Sequence, residues 1–167
     1  QITNDSEEKR GEFDPKQYGV DWESSSVEIP EGYEKIAEEA FRGWRNLKEI
    51  RMPKTIREIG ERAFYGCENL SVIWWPLGLK RIRKEAFFKC ESLRELKLPP
   101  HTEEIGTRAF GWCRNIKKVI FPDSLKIIWR EAWTGCEALR EIRLPEGLQM
   151  IGASAFSDCR KIQMISI

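Results

Sequence analysis

Five cysteines, Cys67, Cys90, Cys113, Cys136 and Cys159, and one histidine, His101, are the side chains of this 167-residue chain best suited to nucleophilic or metal chemistry. A thiolate attacks carbonyls or holds zinc, and an imidazole activates it as a base. Their spacing argues against both uses. The cysteines recur every 23 residues, whereas zinc ligands come as close pairs with about two to four residues between them. At that interval they read as a ladder of small buried hydrophobes, stacked at the strand-like spacing of ~5 Å. Pairing into disulfides is the other reading. His101 follows Pro99-Pro100 in a turn, so a Ser-His-acid or Cys-His site would rest on it alone. The neighbouring Glu103-Glu104 pair reads as solvated, and no phosphate loop, dinucleotide fingerprint or metal-binding helix motif is present. The expectation is a protein without catalytic residues, metal or cofactor. What remains is recognition, for which the chain holds seven tryptophans, eight phenylalanines and three tyrosines.

The elements that position these residues are set by a repeat. Proline recurs at Pro30, Pro53, Pro76, Pro99, Pro122 and Pro145, 23 residues apart without an insertion. A fixed period of that size marks stacked solenoid coils. Ile36, Ile59, Ile82, Ile105, Ile128 and Ile151 follow the prolines, then Phe41, Phe64, Phe87, Phe110, Trp133 and Phe156, each preceded by an alanine. The stretch Leu47-Lys48-Glu49-Ile50-Arg51-Met52 alternates as a strand with one buried face, and Pro53, lacking a backbone donor, ends it. A second extended piece fits Ile56 to Ile59. Glu61-Arg62-Ala63-Phe64 has the spacing of a short helical turn pointing alanine and phenylalanine inward. No coil buries its own apolar columns, so each depends on its neighbours.

The pattern Ile-x-Leu-Pro-(x)5-Ile-Gly-x-x-Ala-Phe-x-Gly-Cys-x-x-Leu resembles the BspA-type leucine-rich repeat, over residues 25–167. That resemblance implies an α/β repeat solenoid: a right-handed array of 23-residue coils, with a parallel sheet on one face and short helical turns on the other. It also implies no catalytic residues. The family is common on bacterial cell surfaces and in some parasitic protozoa, and is associated with adhesion to host proteins or other cells.

Transferring the strand alternation to every coil places Glu49, Val72, Glu95, Lys118, Glu141 and Met164 in one outward column. Glu28, Arg51, Trp74, Lys97, Ile120, Arg143 and Ser166 form a second. Val72, Trp74 and Ile120 are apolar where the coil does not require it, and a tryptophan among Arg51 and Lys97 has the composition of an interface anchor. Ordinary decoration of a sheet by aromatic and branched residues is the competing explanation. A second candidate patch, Tyr65, Phe88 and Trp112, lies just after the phenylalanine column. Trp129 stands where Gly60, Gly106 and Gly152 stand, beside Ile127 and Met150. Contiguous apolar patches mark contact surfaces, and packing against adjacent coils would explain the same residues. Trp75, in the column of Met52, Leu98 and Leu144, and Trp133, in that of the phenylalanines, are expected to pack inside with local expansion.

Composition sets the outer bounds. The 28 Lys and Arg against 27 Asp and Glu argue against general nucleic-acid binding, which needs a basic excess or stripe. No apolar run approaches the ~20 residues of a membrane span. Residues 1–24 are expected to be a polar arm and a decayed capping coil carrying Phe13, Tyr18, Val20 and Trp22. Residues 25–167 form the six-coil array, with Trp44 filling extra room in the first. The last coil has no comparable cap, which points to continuation of the parent, to self-association, or to a frayed but tolerated end protected by Arg160 and Lys161. Together these features predict a non-catalytic module, secreted or at the cell surface, that binds a partner protein. The alternatives are a structural piece of a longer array and a cytoplasmic regulator or inhibitor, which the free thiols would suit.

Overall fold

The structure, a computed structural model, describes residues 11–166. The polar arm expected over residues 1–10, and Ile167, lie outside the described residues. Two kinds of strand alternate along the chain. Odd-numbered strands hold two residues each: β1 (Glu12–Phe13), β3 (Lys35–Ile36), β5 (Glu58–Ile59), β7 (Arg81–Ile82), β9 (Glu104–Ile105), β11 (Ile127–Ile128) and β13 (Met150–Ile151). Even-numbered strands hold three: β2 (Ser26–Glu28), β4 (Glu49–Arg51), β6 (Val72–Trp74), β8 (Glu95–Lys97), β10 (Lys118–Ile120), β12 (Glu141–Arg143) and β14 (Met164–Ser166). All pairings are parallel with a shift of one coil, as in Ile50↔Ile73 and Ile59↔Ile82. The odd strands make one seven-stranded sheet, β1-β3-β5-β7-β9-β11-β13. The even strands, which carry the outward columns of the open face, divide into a three-stranded sheet, β2-β4-β6, and a four-stranded one, β8-β10-β12-β14.

The third side of each coil corrects the expected α/β class with short helical turns. Among the described residues the only helix is a single 3-10 turn, Pro15–Tyr18, and the fold is a parallel β-solenoid of about six coils. Every coil enters this side through a residue with left-handed backbone: Glu39, Arg62, Glu85, Arg108, Glu131 and Ser154, at φ 53–58°. Four positions later it leaves through a second one, Gly43, Gly66, Lys89, Trp112, Gly135 or Asp158. A right-handed helix cannot run through such residues. The backbone instead alternates its bonding. Ala63, Tyr65 and Cys67 donate locally to the carbonyls of Gly60, Arg62 and Phe64, while Arg62, Phe64 and Gly66 donate across to Lys84, Ala86 and Phe88 of the next coil. The turn therefore works as a third inter-coil ladder.

Inside these three sides runs an aromatic stack. Phe41, Phe64, Phe87, Phe110 and Trp133 are fully buried with centroids 5.0–5.3 Å apart and rings nearly parallel. Burying each such ring contributes roughly 1.5–3 kcal/mol. The cysteine column is a ladder of free thiols. Each Sγ–H donates to the carbonyl of an aromatic residue one coil back, from Cys67 to Phe41 at 3.1 Å through Cys159 to Trp133 at 3.1 Å. Burial pushes the Cys67 and Cys113 thiols up to about 12. Trp44, in the cysteine position of its coil, is buried edge-on against Phe41 at 4.8 Å. At the N-terminal end Phe13, paired with Ile36, is buried beneath Tyr18 at 5.3 Å and packs on Phe41 at 6.1 Å.

The division of the open face has an identifiable cause. The column immediately before the prolines reads Ile29, Met52, Trp75, Leu98, Phe121, Leu144. Its aliphatic members are buried, and Met52 and Leu98 donate backbone bonds to Trp74 and Ile120 of the next coil, at 3.2 and 3.1 Å. Trp75 and Phe121 are only partly buried and, among the described residues, make no equivalent bond. Trp75 stands edge-on to Phe87 at 5.4 Å and Phe121 edge-on to Trp133 at 5.3 Å. After Trp75 the strands β6 and β8 no longer pair; after Phe121 the register of β10 and β12 shrinks to Lys118↔Glu141. The local expansion expected at Trp75 is thus large enough to part the sheet. Ile73 loses the burial that Ile50, Leu96 and Ile142 keep.

Candidate functional site

Strand alternation sends Arg51 and Trp74, opposite each other in register, out of the open face. Trp74 is 51% exposed, yet it is not a loose side chain. The Arg51 guanidinium lies 4.5 Å from its ring centroid, and its Nε1 donates to Oε1 of Glu49 at 2.8 Å. Arg51 Nε donates to the same oxygen at 2.9 Å. These two hydrogen bonds, Arg51 first, hold the Glu49 carboxyl below its ordinary pKa. One carboxylate thus fixes both an indole and a guanidinium, so the rotamers of both side chains are already set. Beside it lies a cleft of about 500 Å³ bordered by Glu28, Pro30, Glu31, Pro53, Lys54 and Trp74. Val72, 42% exposed, borders a second cleft of about 330 Å³ where β6 and β8 part, with Ile73, Trp75 and Lys97. Ile120 lines a third, of about 670 Å³, over Phe121.

The other candidates are placed differently. Tyr65 and Phe88 stack at 5.1 Å, and Arg42 covers Tyr65 at 4.6 Å. Phe88 lies so close over Gly111 that an added Cβ there would sit 2.7 Å from the ring, and Trp112 covers Gly135 in the same way, at 2.4 Å. Lys89 and Arg114 lie 5.7 Å from the Phe88 and Trp112 rings. These aromatics are half-buried, with one face on the next coil and a cation close by, which is the packing alternative left open by the sequence. Trp129 is 39% exposed on the seven-stranded sheet, its Nε1 donating to Glu104 at 2.6 Å. Of the nine candidates, the fold brings Arg51, Val72, Trp74, Lys97 and Ile120 to the open face. Tyr65, Phe88 and Trp112 sit on the turn side, and Trp129 stands apart.

One set of exposed residues was missed. The position just before the strands β4 to β12 of the open face reads Lys48, Ser71, Arg94, Lys117, Arg140, an exposed column along the edge of that face. Its signal was present in the period. His101 is exposed in its turn at φ 78°. Among the described residues no group of three His, Cys, Asp or Glu side chains could hold a metal, and no helix is long and apolar enough to cross a membrane.

Comparison with known proteins adds a decisive observation. The BspA type leucine rich repeat region matches in six copies, over residues 18–130 and 103–167. The chain belongs to the BspA-type leucine-rich repeat family. Among solved structures, the leucine rich repeat protein of T. pallidum superposes with a TM-score of 0.85 at 32% identity, over 88% of this chain and 71% of its own. A leucine rich cell surface protein of Faecalibacterium prausnitzii gives 0.78 at 32%, over 84% of this chain and 38% of its own. A leucine-rich repeat protein of Bacteroides ovatus gives 0.63 at 28%, over 85% and 45%. This chain thus spans less than half the length of the last two. Curated protein sequences provide no match.

Proposed function

We propose that this BspA-type array is a non-catalytic protein-recognition module, secreted or displayed at the cell surface, that contacts its partner through the open face. The observation that carries this reading is Trp74: half exposed, held by Glu49 and covered by Arg51, and lining a cleft of about 500 Å³ on β6, the last strand before the sheet parts. Rigid aromatic and arginine residues beside pockets have the make-up of binding hot spots. The extracellular placement is supported by likeness to the cell surface protein of F. prausnitzii. The test is an affinity capture comparing the parent with a Trp74→Ala, Ile120→Ala variant of matched thermal stability. A partner held by the parent and lost by the variant supports the reading. Equal capture by both moves the site to Tyr65, Phe88 and Trp112.

A further inference from the structure

The near-neutral composition hides an uneven pairing of charge. On the seven-stranded sheet Lys35 pairs with Glu58 at 3.3 Å, Arg83 with Glu58, and Arg81 with Glu104 at 3.4 Å, while Arg57 and Lys126, just before β5 and β11, are exposed and form no ion pair among the described residues. On the open face from β8 to β12 the exposed cations are Arg94, Lys97, Lys117, Lys118, Arg140 and Arg143, and none of them forms an ion pair among the described residues. The strands themselves offer Glu95 and Glu141 against them, and Asp123 and Glu146 border the cleft nearby. Arg94, Lys117 and Arg140 fall in one column, so the fold stacks three positive charges in a row at the inter-strand spacing of ~4.8 Å. Like charges so placed repel one another. Neither the coil's packing nor its hydrogen bonding requires them, because the same position holds Ser25 and Ser71 in other coils.

Beside this row the sheet is loosened. Only Lys118↔Glu141 joins β10 to β12, and the cleft over Phe121, with Ile120, Leu144 and Pro145, offers apolar wall next to Arg143. From these two features, and resting on the protein-recognition reading above, we infer that the C-terminal half of the open face docks an acidic, amphipathic segment of a partner protein. Its carboxylates lie along Arg94, Lys117 and Arg140, and one large apolar side chain enters the Phe121 cleft. A helix suits this row: carboxylates at three- and four-residue steps recur every ~5.4 Å of rise, close to the coil spacing, and flexible lysine and arginine stems absorb the slip over three rungs. A uniform polyanion matches the charges and leaves the cleft unused.

The experiment measures fluorescence-anisotropy binding of synthetic peptides to the purified chain at physiological salt. The probe is a 16-residue helix-forming peptide with glutamates on one face at one-turn intervals and leucines beside them. Controls are the same peptide with glutamine for glutamate, a scrambled sequence of identical composition, and heparin. The expected result is binding of the patterned peptide that falls by about tenfold in the Lys117→Glu, Arg140→Glu variant, and also with the glutamine peptide and the scrambled one. Ile120→Ser should weaken it a few-fold. Absence of binding, or heparin and the scrambled peptide binding as tightly as the patterned one, overturns the inference. The affinity capture at Trp74 reads out separately. A partner lost on Trp74→Ala, Ile120→Ala while the acidic peptide fails retains the recognition module and removes the acidic ligand.

Discussion

The two sides of the solenoid built from strands share one core and one period, and they differ in what they do with their polar groups. The seven-stranded sheet runs unbroken from β1 to β13, and its cations Lys35, Arg81 and Arg83 pair with Glu58 and Glu104 of neighbouring coils. The open face is parted after Trp75, thinned after Phe121, and carries six cations that form no ion pair among the described residues. Since both sheets arise from the same repeat, the difference cannot come from the fold's requirements. It lies in individual residues placed on an otherwise uniform scaffold: large rings where aliphatic ones suffice, and cations without partners. Departures from local consistency of this kind collect at working surfaces.

The comparison can be broken most severely through what the two sheets share. Phe87 stacks between Phe64 and Phe110 and supports Trp75, so Phe87→Ala should cost about 3–5 kcal/mol and lower the denaturant midpoint of the whole array. Equal protection of both sheets in amide exchange after that change would show that the core does not couple them. Trp75→Leu should instead make the two sheets more alike. With an aliphatic residue restored, the amide of residue 75 gains a bond to the next coil, worth about 1 kcal/mol, and exchange across residues 71–75 and 95–97 slows. Unchanged exchange would mean that the ring is not what parts the strands.

Smaller effects sharpen the contrast. Glu58 has a side chain only 18% exposed and serves both Lys35 and Arg83; Glu58→Ala should destabilise by about 1 kcal/mol, at the upper end for such pairs. Lys117→Ala, on the open face, should stay within about 0.5 kcal/mol of the parent. Similar losses for the two would erase the distinction between a stitched sheet and a free one. The least effect is a pH response at Trp74. Because the Glu49 carboxyl is depressed, its hold on the indole is complete above the unfolded carboxyl value of about 4.5 and is lost as pH falls through the lower folded value. The fluorescence difference between the parent and Trp74→Phe should therefore be flat from neutral pH to about 4.5 and change only in more acid solution.

Much of this molecule could be read from the chain. The period, the buried columns, the thiol ladder and the outward pair Arg51 and Trp74 follow from spacing alone, because in-register stacking turns each sequence position into a column. Helical turns were expected on the third side because Ala63 and Phe64 point inward with helical spacing. The left-handed backbone that replaces them falls on charged residues such as Arg62 and Glu85, which carry no compositional signal; the glycines at Gly43, Gly66 and Gly135 were the visible trace. The size of Trp75 and Phe121 was legible too, but whether a column absorbs a large ring or yields to it depends on the space between coils. The basic column escaped notice because Arg94, Lys117 and Arg140 fall in the first half of the repeat stretch, where two polar residues follow the buried one and strict alternation does not mark their side.

The parted sheet also has a mechanical meaning. Along its axis the array resembles a beam whose rear wall and turn ladder are continuous while its front wall is notched between β6 and β8. Bending in such a beam concentrates at the notch, where no front-wall bonds resist tension. The angle between Trp74 and the cationic row beyond it is therefore the dimension that front-wall hydrogen bonds hold least.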